Sequence, residues 1–98
     1  TRIPITEIAY FESQGHYIVV HYNEKSLRIK ARMSDIETAL SKYFFVRCHV
    51  GYLLNCRFVQ ICSRTSVTLT DGTVLPVSRA KAEETQTAFM AYMRSLRP

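Results

Sequence analysis

The clearest alternation of apolar and polar side chains lies at residues 44–50, and an apolar run follows it as far as Asn55. Alternation with a period of two predicts a strand, Gly51 predicts a sharp turn, and the apolar run predicts a second strand. Successive side chains of a strand point to opposite faces, so the pattern divides the residues between two faces. One face holds Phe44, Val46 and Cys48, and the other holds Phe45, Arg47 and His49.

Short runs rich in β-branched and aromatic residues predict further strands on both sides of this centre. Asn23 with Glu24 and Asp71 with Gly72 predict tight hairpin turns, the second because both turn positions favour positive φ. Pro76 has no amide hydrogen for a sheet ladder, so the last strand is predicted to be an edge strand or to end there. The predicted strands comprise residues 5–11, 16–22, 26–31, 58–62, 66–70 and 73–77.

Two segments have the apolar spacing of helices. Ser34 to Glu37 read as a capping box, in which each side chain accepts a hydrogen bond from the other residue's amide. The pattern predicts a helix of roughly ten residues that packs one face on a sheet, and a second helix after Ser78. The apolar positions are Ile36, Ala39, Leu40 and Tyr43 in the first helix and Ala82, Phe89, Tyr92, Met93 and Leu96 in the second.

Charge is the first property that bears on a partner. The chain carries a formal net charge of +5, with 13 lysines and arginines against 8 acids, and nine of the 13 are arginines. The planar fork of arginine matches phosphates and guanine edges, which favours nucleic acid, although many small basic domains bind nothing anionic. Arg28 and Lys30, which alternate with Leu27 and Ile29, are interpreted as a solvated face.

Length and composition place the chain among folded domains. Residues 1–98 are predicted to form one domain, and the 47% of hydrophobic and 21% of charged residues argue against disorder. No apolar run reaches the roughly 18 residues that a membrane helix needs, and the N-terminus lacks a signal-peptide pattern. We therefore expect a cytoplasmic domain without membrane contact.

The three cysteines, Cys48, Cys56 and Cys62, have neither the even number nor the spacing of a disulfide framework or a zinc ribbon. Buried thiols in a reducing cytosol are the favoured interpretation. Cys48 is the exception, because positive charge from Arg47 and His49 would stabilise a thiolate and make it redox-sensitive. The acids are scattered and the histidines lack ligand spacing, so no enzyme, metal site or cofactor is predicted.

The pattern Arg-Cys-His-x-x-Tyr-Leu-x-Asn at residues 47–55 resembles the core signature of the LytTR (LytR/AlgR-type) DNA-binding domain of bacterial response regulators. The resemblance extends from about Ile3 to about Lys81 and implies a mainly β fold. Its form would be an elongated antiparallel sheet or sandwich with one short scaffold helix and a C-terminal helix. The further matching stretches are Ile8-Ala9-Tyr10-Phe11-Glu12-Ser13 with Gly15-His16-Tyr17, Ser34-Asp35-Ile36-Glu37, and Leu75-Pro76-Val77-Ser78-Arg79.

The resemblance also implies sequence-specific binding of double-stranded DNA by loops that enter successive major grooves. His16 and Arg79 would read bases, and Arg79 would suit guanine because its fork matches O6 and N7 together. The segment from Arg47 through His49 to Gly51 would grip the backbone between them. Ser78 would lie beside Arg79 in the third contact loop.

One departure from the family concerns the middle loop. Members often carry a polar residue and then serine between the histidine and the tyrosine, where this chain has Val50 and Gly51. Either Val50 touches a thymine methyl group, or the loop makes only main-chain contacts. Gly51 is expected to allow a close approach to the partner. Asn55 is interpreted as structural, ending its strand.

Regulators of this kind usually place the domain behind a phospho-acceptor receiver or a membrane sensor, and two copies usually bind promoter direct repeats as a homodimer on DNA. The resemblance therefore implies a two-component phosphorelay in bacteria. The alternative is a protein interaction module that docks through the second helix. Burial of its apolar stripe, Phe89, Tyr92, Met93 and Leu96, discriminates the two hypotheses.

Overall fold

The computed structural model describes residues 2–97. Eight strands are present in them: β1 (Ile8–Gln14), β2 (Tyr17–Tyr22), β3 (Lys25–Ile29), β4 (Phe45–His49), β5 (Tyr52–Asn55), β6 (Val59–Cys62), β7 (Ser66–Leu69) and β8 (Val74–Pro76). The helices are α1 (Met33–Ala39), α2 (Ala82–Ser95) and the 3-10 helices Ile5–Glu7, Cys56–Phe58 and Arg79–Lys81. The predicted mainly β class, with one short helix and a C-terminal helix, is confirmed.

The strands form two sheets in which every pairing is antiparallel. The larger sheet has the order β3-β2-β1-β5-β4 and the smaller sheet the order β6-β7-β8, so the strand with Pro76 is an edge strand as predicted. The described residues measure 34 × 31 × 26 Å. Any elongation is therefore slight.

Both faces of the larger sheet are covered, and two apolar cores result. Leu53 and Leu54 are adjacent in β5, fully buried, and belong to different cores, which explains the uninterrupted apolar run at this position. The first core joins the larger sheet to the smaller sheet and α2: Val46, Cys48, Leu54, Cys56, Val67, Leu69, Leu75, Val77 and Ala82. The second core joins the larger sheet to α1: Ile8, Phe11, Ile18, Val20, Met33, Phe45 and Leu53.

The two predicted hairpin turns differ in outcome. Asn23 and Glu24 have φ values of 46° and 60°, as the prediction requires. At the other turn Gly72 has a φ of 92° but Asp71 does not have positive φ, and the Gly72 amide donates to the Leu69 carbonyl at 2.9 Å. The connection is therefore a three-residue loop, and the two-residue prediction is wrong.

Several predicted boundaries shift. Residues 5–7 form a 3-10 helix, and β1 begins at Ile8 and continues to Gln14, three residues beyond the predicted end at residue 11. Phe44 lies outside β4 with a φ of 61°. Its ring packs edge-on against the Tyr92 ring, with 5.5 Å between the ring centroids. The prediction that Phe44 shares a strand face with Val46 is therefore wrong.

The predicted capping box is also wrong. The N-cap residue of α1 is Arg32, without a side-chain capping bond, because the buried Met33 already forms part of the helix. Ser34 thus lies inside the first turn, where its carbonyl accepts from the Thr38 hydroxyl at 3.1 Å. The helix has seven residues, and Tyr43 lies beyond it with 51% of its surface exposed.

The apolar stripe of α2 is divided between core and solvent. Phe89 and Tyr92 pack against the first core, whereas Met93 and Leu96 are 50% and 60% exposed. Half of the stripe is therefore part of the core, and the other half stays available for the docking that the alternative hypothesis requires. Within the described part of the chain, neither helix has the length and apolarity needed to cross a membrane.

Candidate nucleic-acid interface

Three connections meet at one end of the molecule: the β1–β2 turn, the β4–β5 turn and the segment after β8. The Ser13 amide donates to the Gly51 carbonyl at 2.9 Å, which ties the first connection to the second. The Ser78 amide donates to the Cys48 carbonyl at 3.0 Å, which ties the third to the second. The three loops that carry the predicted site residues are thus joined by backbone hydrogen bonds and form one surface.

His16 occupies the tip of the first loop. Gln14 pairs with Tyr17 across β1 and β2, which leaves a two-residue turn of Gly15 and His16. Gly15 has a φ of 61° while His16 does not have positive φ, which fits the glycine-first pattern of a type II′ turn. The His16 side chain is exposed and has no hydrogen-bond partner among residues 2–97. It is available to a ligand.

A β-bulge changes the orientation of side chains in the middle loop. Val46 pairs with Leu54 and His49 pairs with Tyr52, so three steps along β4 match two steps along β5. Leu54 and Tyr52 are two residues apart in β5 and therefore share a face. Because directly opposite residues also share a face, His49 lies on the same face as Val46. Arg47 instead faces α1, where it pairs with Glu37. The prediction that Arg47 and His49 lie side by side is therefore wrong.

Arg47 is held by internal partners. Its Nη2 and Nε donate to the Val50 carbonyl at 2.8 and 3.3 Å, and its Nη1 lies 3.4 Å from Glu37 Oε1. The Arg47 side chain is 19% exposed. The guanidinium thus joins α1 to the tip of the middle loop and fixes the loop's main chain.

His49 and Gly51 form a second internal contact in this loop. The Gly51 amide donates to His49 Nδ1 at 3.0 Å, and the imidazole packs edge-on against the Tyr52 ring at 5.8 Å. In the neutral ring this places the proton on Nε2, which can donate one hydrogen bond. Gly51 does not have positive φ, and a Cβ there would meet His49 Nδ1 at 3.6 Å. The conformation of this turn therefore does not itself require glycine, and the close approach to a partner stays a prediction.

Val50 is the most outward side chain of the middle loop. Its carbonyl is turned inward to Arg47, while 69% of its side chain and backbone surface is exposed. An apolar group at the tip of a loop costs free energy in water unless a partner covers it. Its position suits contact with an apolar group such as a thymine methyl.

The third loop presents Ser78 and Arg79. The Ser78 carbonyl accepts from the Lys81 amide at 3.0 Å, which closes the 3-10 helix Arg79–Lys81. Arg79 is the first residue of that helix and is exposed. Its guanidinium makes no hydrogen bond or ion pair in the part of the chain that the structure describes. Both donor edges of its fork are therefore free.

Cys48 does not meet the conditions for a redox-sensitive thiol. Its side chain is 0% exposed in the first core, and burial raises the pKa of the Cys48 thiol to about 12. Arg47 points to the opposite side of β4 and offers no charge stabilisation. Burial likewise raises the pKa of Cys56 to about 12, so both residues are protonated core thiols.

Sequence reasoning missed Arg64. It lies in the turn between β6 and β7, and the neighbouring Thr65 carbonyl accepts from the Val77 amide at 3.0 Å, beside the third loop. Arg64 is exposed and adds a cation to the same end. Its turn carries no motif, so only the pairing of the smaller sheet reveals its position.

Two further polar side chains, those of Asn55 and His21, have partners inside the domain. Asn55 is 3% exposed, and its side chain donates to the Ile8 carbonyl and accepts from the Arg57 amide, each at 3.0 Å, so its structural role is confirmed. His21 stacks on Tyr10 at 4.2 Å and lies 2.9 Å from Glu12. Within residues 2–97 no three histidines, cysteines or acids are grouped as metal ligands.

The model of the LytTr DNA-binding domain family matches residues 1–90. The chain belongs to this family. The resemblance predicted from the sequence is therefore confirmed, and the LytTr domain is a DNA-binding domain of a transcription regulator. Such a domain is not catalytic, which is consistent with the prediction that the chain is no enzyme.

A solved structure shares the fold of this LytTr domain. It is a LytTr DNA-binding domain from Bacillus cereus, of a protein assigned as a methyl-accepting/DNA response regulator. The TM-score is 0.80 at 22% sequence identity, and the match covers 88% of this chain and 84% of that chain. A comparison with curated proteins gave no match.

Proposed function

We propose that this LytTr domain binds duplex DNA in a sequence-specific manner by inserting its three joined loops into the major groove. The observation that carries the proposal is the exposure of unpartnered side chains, His16, Val50 and Arg79, on loops tied together by main-chain hydrogen bonds. Rigid loops with free donors are suited to base edges, because the geometry of the donors is set before binding.

Each loop has a distinct role in this proposal. Arg79 donates two hydrogen bonds to guanine O6 and N7, whereas His16 offers one contact at a time. Val50 covers a thymine methyl group between them. Arg47, His49 and Gly51 hold the middle loop, and their main chain together with Ser78 approaches the phosphates.

We further propose that residues 1–98 act as a single effector domain in a larger cytoplasmic regulator of bacteria. A phospho-acceptor receiver or a sensor domain of the same protein would supply the signal in a two-component phosphorelay. Two copies would bind direct repeats in a promoter, as a homodimer formed on DNA.

The experiment that tests the proposal is selection of bound sequences from random duplex DNA, followed by titration of the selected duplex in rising salt. We expect a defined motif and a linear log–log salt dependence with a slope of about 0.9 for each neutralised phosphate. The His16→Ala variant should lose preference at one base pair of that motif. Binding without any enriched motif would contradict the proposed readout.

The alternative, docking of a protein on α2, is supported by the exposure of Met93 and Leu96. Phe89 and Tyr92 pack on the core, however, and the free side chains of His16 and Arg79 are not bound internally. Exchanging Met93 and Leu96 for glutamine should leave DNA affinity unchanged if the loops carry the function. Loss of a protein partner by that variant, with DNA binding absent in the wild type, would favour the alternative.

A further inference from the structure

The segment that connects β3 to α1 alternates apolar and cationic residues. Met33 is buried in the second core, and Ile29 and Ala31 pack against the same core. The two residues between them, Lys30 and Arg32, are exposed. Alternation in an extended segment therefore directs both cations to the same, outer side.

The backbone of this segment is fixed at both ends. Ile29 pairs with Ile18 of β2, and the Arg32 carbonyl accepts from the amides of Asp35 and Ile36 at 3.1 and 3.2 Å. Neither Lys30 nor Arg32 has an ion-pair partner among the described residues. Among residues 2–97, Lys30 and Arg32 are thus two unpaired cations on a segment whose backbone is held at both ends.

An open cleft of about 800 Å³ lies between this segment and the β1–β2 turn. Its charged and titratable lining residues are His16, Tyr17, Lys30, Arg32, Asp35 and Arg47. Glu37 and the Val50 carbonyl already engage Arg47, so Lys30 and Arg32 supply the unneutralised charge. The single acid, Asp35, offsets only part of it.

We propose that this cleft binds phosphodiester groups of duplex DNA beside the groove that His16 enters. This inference rests on the proposed function and extends the interface beyond the three loops. Residues two apart in an extended segment are separated by roughly 6.6 Å, so Lys30 and Arg32 present two distinct cations. Two separated charges suit successive phosphates of a strand better than one small free anion.

The test compares two double variants that lose the same charges. K30Q/R32Q removes the cations of the cleft, and K42Q/R57Q removes an exposed lysine and arginine at the opposite end of the β4–β5 hairpin. Phosphate contacts by Lys30 and Arg32 predict a salt slope lower by roughly 1 to 2 in the first variant. Affinity should fall equally on selected and scrambled duplexes, by roughly tenfold at 0.1 M salt.

The outcomes separate this inference from the proposed function. Wild-type binding with a defined motif, together with equal slopes for the two double variants, would overturn the cleft and leave the loops intact. Absence of duplex binding by the wild type would overturn both. Circular dichroism checks that each variant is folded, which is expected because all four side chains are exposed.

A titration of the wild type with inorganic phosphate, followed by the amide signals of Ala31 and Arg32, distinguishes the two sources of phosphate. We expect no saturation up to millimolar phosphate if the cleft serves duplex DNA. Saturation at micromolar phosphate that K30Q/R32Q abolishes would assign the cleft to a free anion and overturn the duplex assignment.

Discussion

Arg47 and Arg79 lie at the same end of the molecule, but their surroundings differ. Arg47 is 19% exposed and donates to the Val50 carbonyl and to Glu37. Arg79 is exposed on a loop whose main chain is tied to β4 through the Ser78 amide, and its side chain has no partner among residues 2–97. One arginine orders a loop from inside, and the other is free to contact a ligand.

The number of arginines therefore overstates the positive charge that is available to DNA. A guanidinium whose N–H groups already serve a carboxylate and a carbonyl has fewer donors and less unneutralised charge left for a phosphate. Arg47 should therefore act by positioning, while Arg79 and His16 act by contact.

The largest expected effect is the protection of the Cys48 thiol from alkylation, since Cys48 lies buried in β4 next to the middle loop. With a pKa of about 12 instead of 9.0, its thiolate fraction at pH 8 is lower by about a thousandfold than that of a free thiol. Iodoacetamide should modify the half-buried Cys62 first, as measured by mass spectrometry of peptides. Modification of Cys48 as fast as that of Cys62 would show that β4 and the middle loop open readily.

The same pKa shift sets a pH dependence of stability. Because the folded-state pKa of the Cys48 thiol is raised, its contribution is fully present below about pH 9 and is lost as the pH rises toward 12. Cys56 contributes in the same direction. Denaturant midpoints should therefore fall between pH 9 and 11, and less steeply in the Cys48→Ala variant than in the wild type.

The Arg79→Ala variant should lose roughly 1 to 3 kcal/mol of binding free energy on the selected duplex, because it removes a bidentate base contact. The preference at one base pair should flatten while the unfolding midpoint stays unchanged. Arg57→Ala is the matched control, since Arg57 also lies exposed in a 3-10 helix but at the opposite end. An equal loss on selected and scrambled duplexes would contradict the base-reading role of Arg79.

The Arg47→Ala variant should instead lower the free energy of unfolding by about 1 to 2 kcal/mol, because the Val50 carbonyl and Glu37 lose their donor. Binding should weaken alike on selected and scrambled duplexes, with the salt slope little changed. A slope lower by about 0.9 with unchanged stability would show that Arg47 contacts a phosphate instead. Glu37→Gln, which keeps the Val50 contact, should destabilise less.

The strand faces of β4 could be predicted from the sequence only in part. Alternation placed Phe45 and Val46 on opposite faces of β4 correctly, because each faces a different core. It failed at His49, where a bulge adds one residue and reverses the face of every later side chain. No residue type marks that bulge. The register follows from how β5 is held between its neighbours.

Contacts between distant elements were likewise beyond the sequence pattern. The resemblance to the family located the three loops, but the partner of Arg47 depends on how α1 packs against β4. Lys30 was interpreted as solvated because strand alternation predicts which face of the strand a side chain is on. It does not predict which other element lies opposite that face. The cleft becomes visible only when the β1–β2 turn stands opposite the segment that holds Lys30.

The smallest expected effect concerns Gly51, and it tests whether the middle loop is limited by geometry. Its φ is not positive, and an added Cβ would lie 3.6 Å from His49 Nδ1, an ordinary contact distance. Gly51→Ser should therefore leave the free energy of unfolding unchanged or raise it by up to about 1 kcal/mol, since the unfolded chain loses freedom. The matched change Gly15→Ser, at a φ of 61°, should lower it by about 1 kcal/mol.

On DNA, the Gly51→Ser hydroxyl adds a side-chain donor to a loop that otherwise presents Val50 and main-chain groups. One additional surface hydrogen bond from this hydroxyl should raise the affinity for the selected duplex by roughly threefold at most. Fluorescence anisotropy with the wild type as reference measures the change. A loss of affinity with stability intact would mean that DNA lies too close to Gly51 for any side chain, as the close approach expected from the sequence requires.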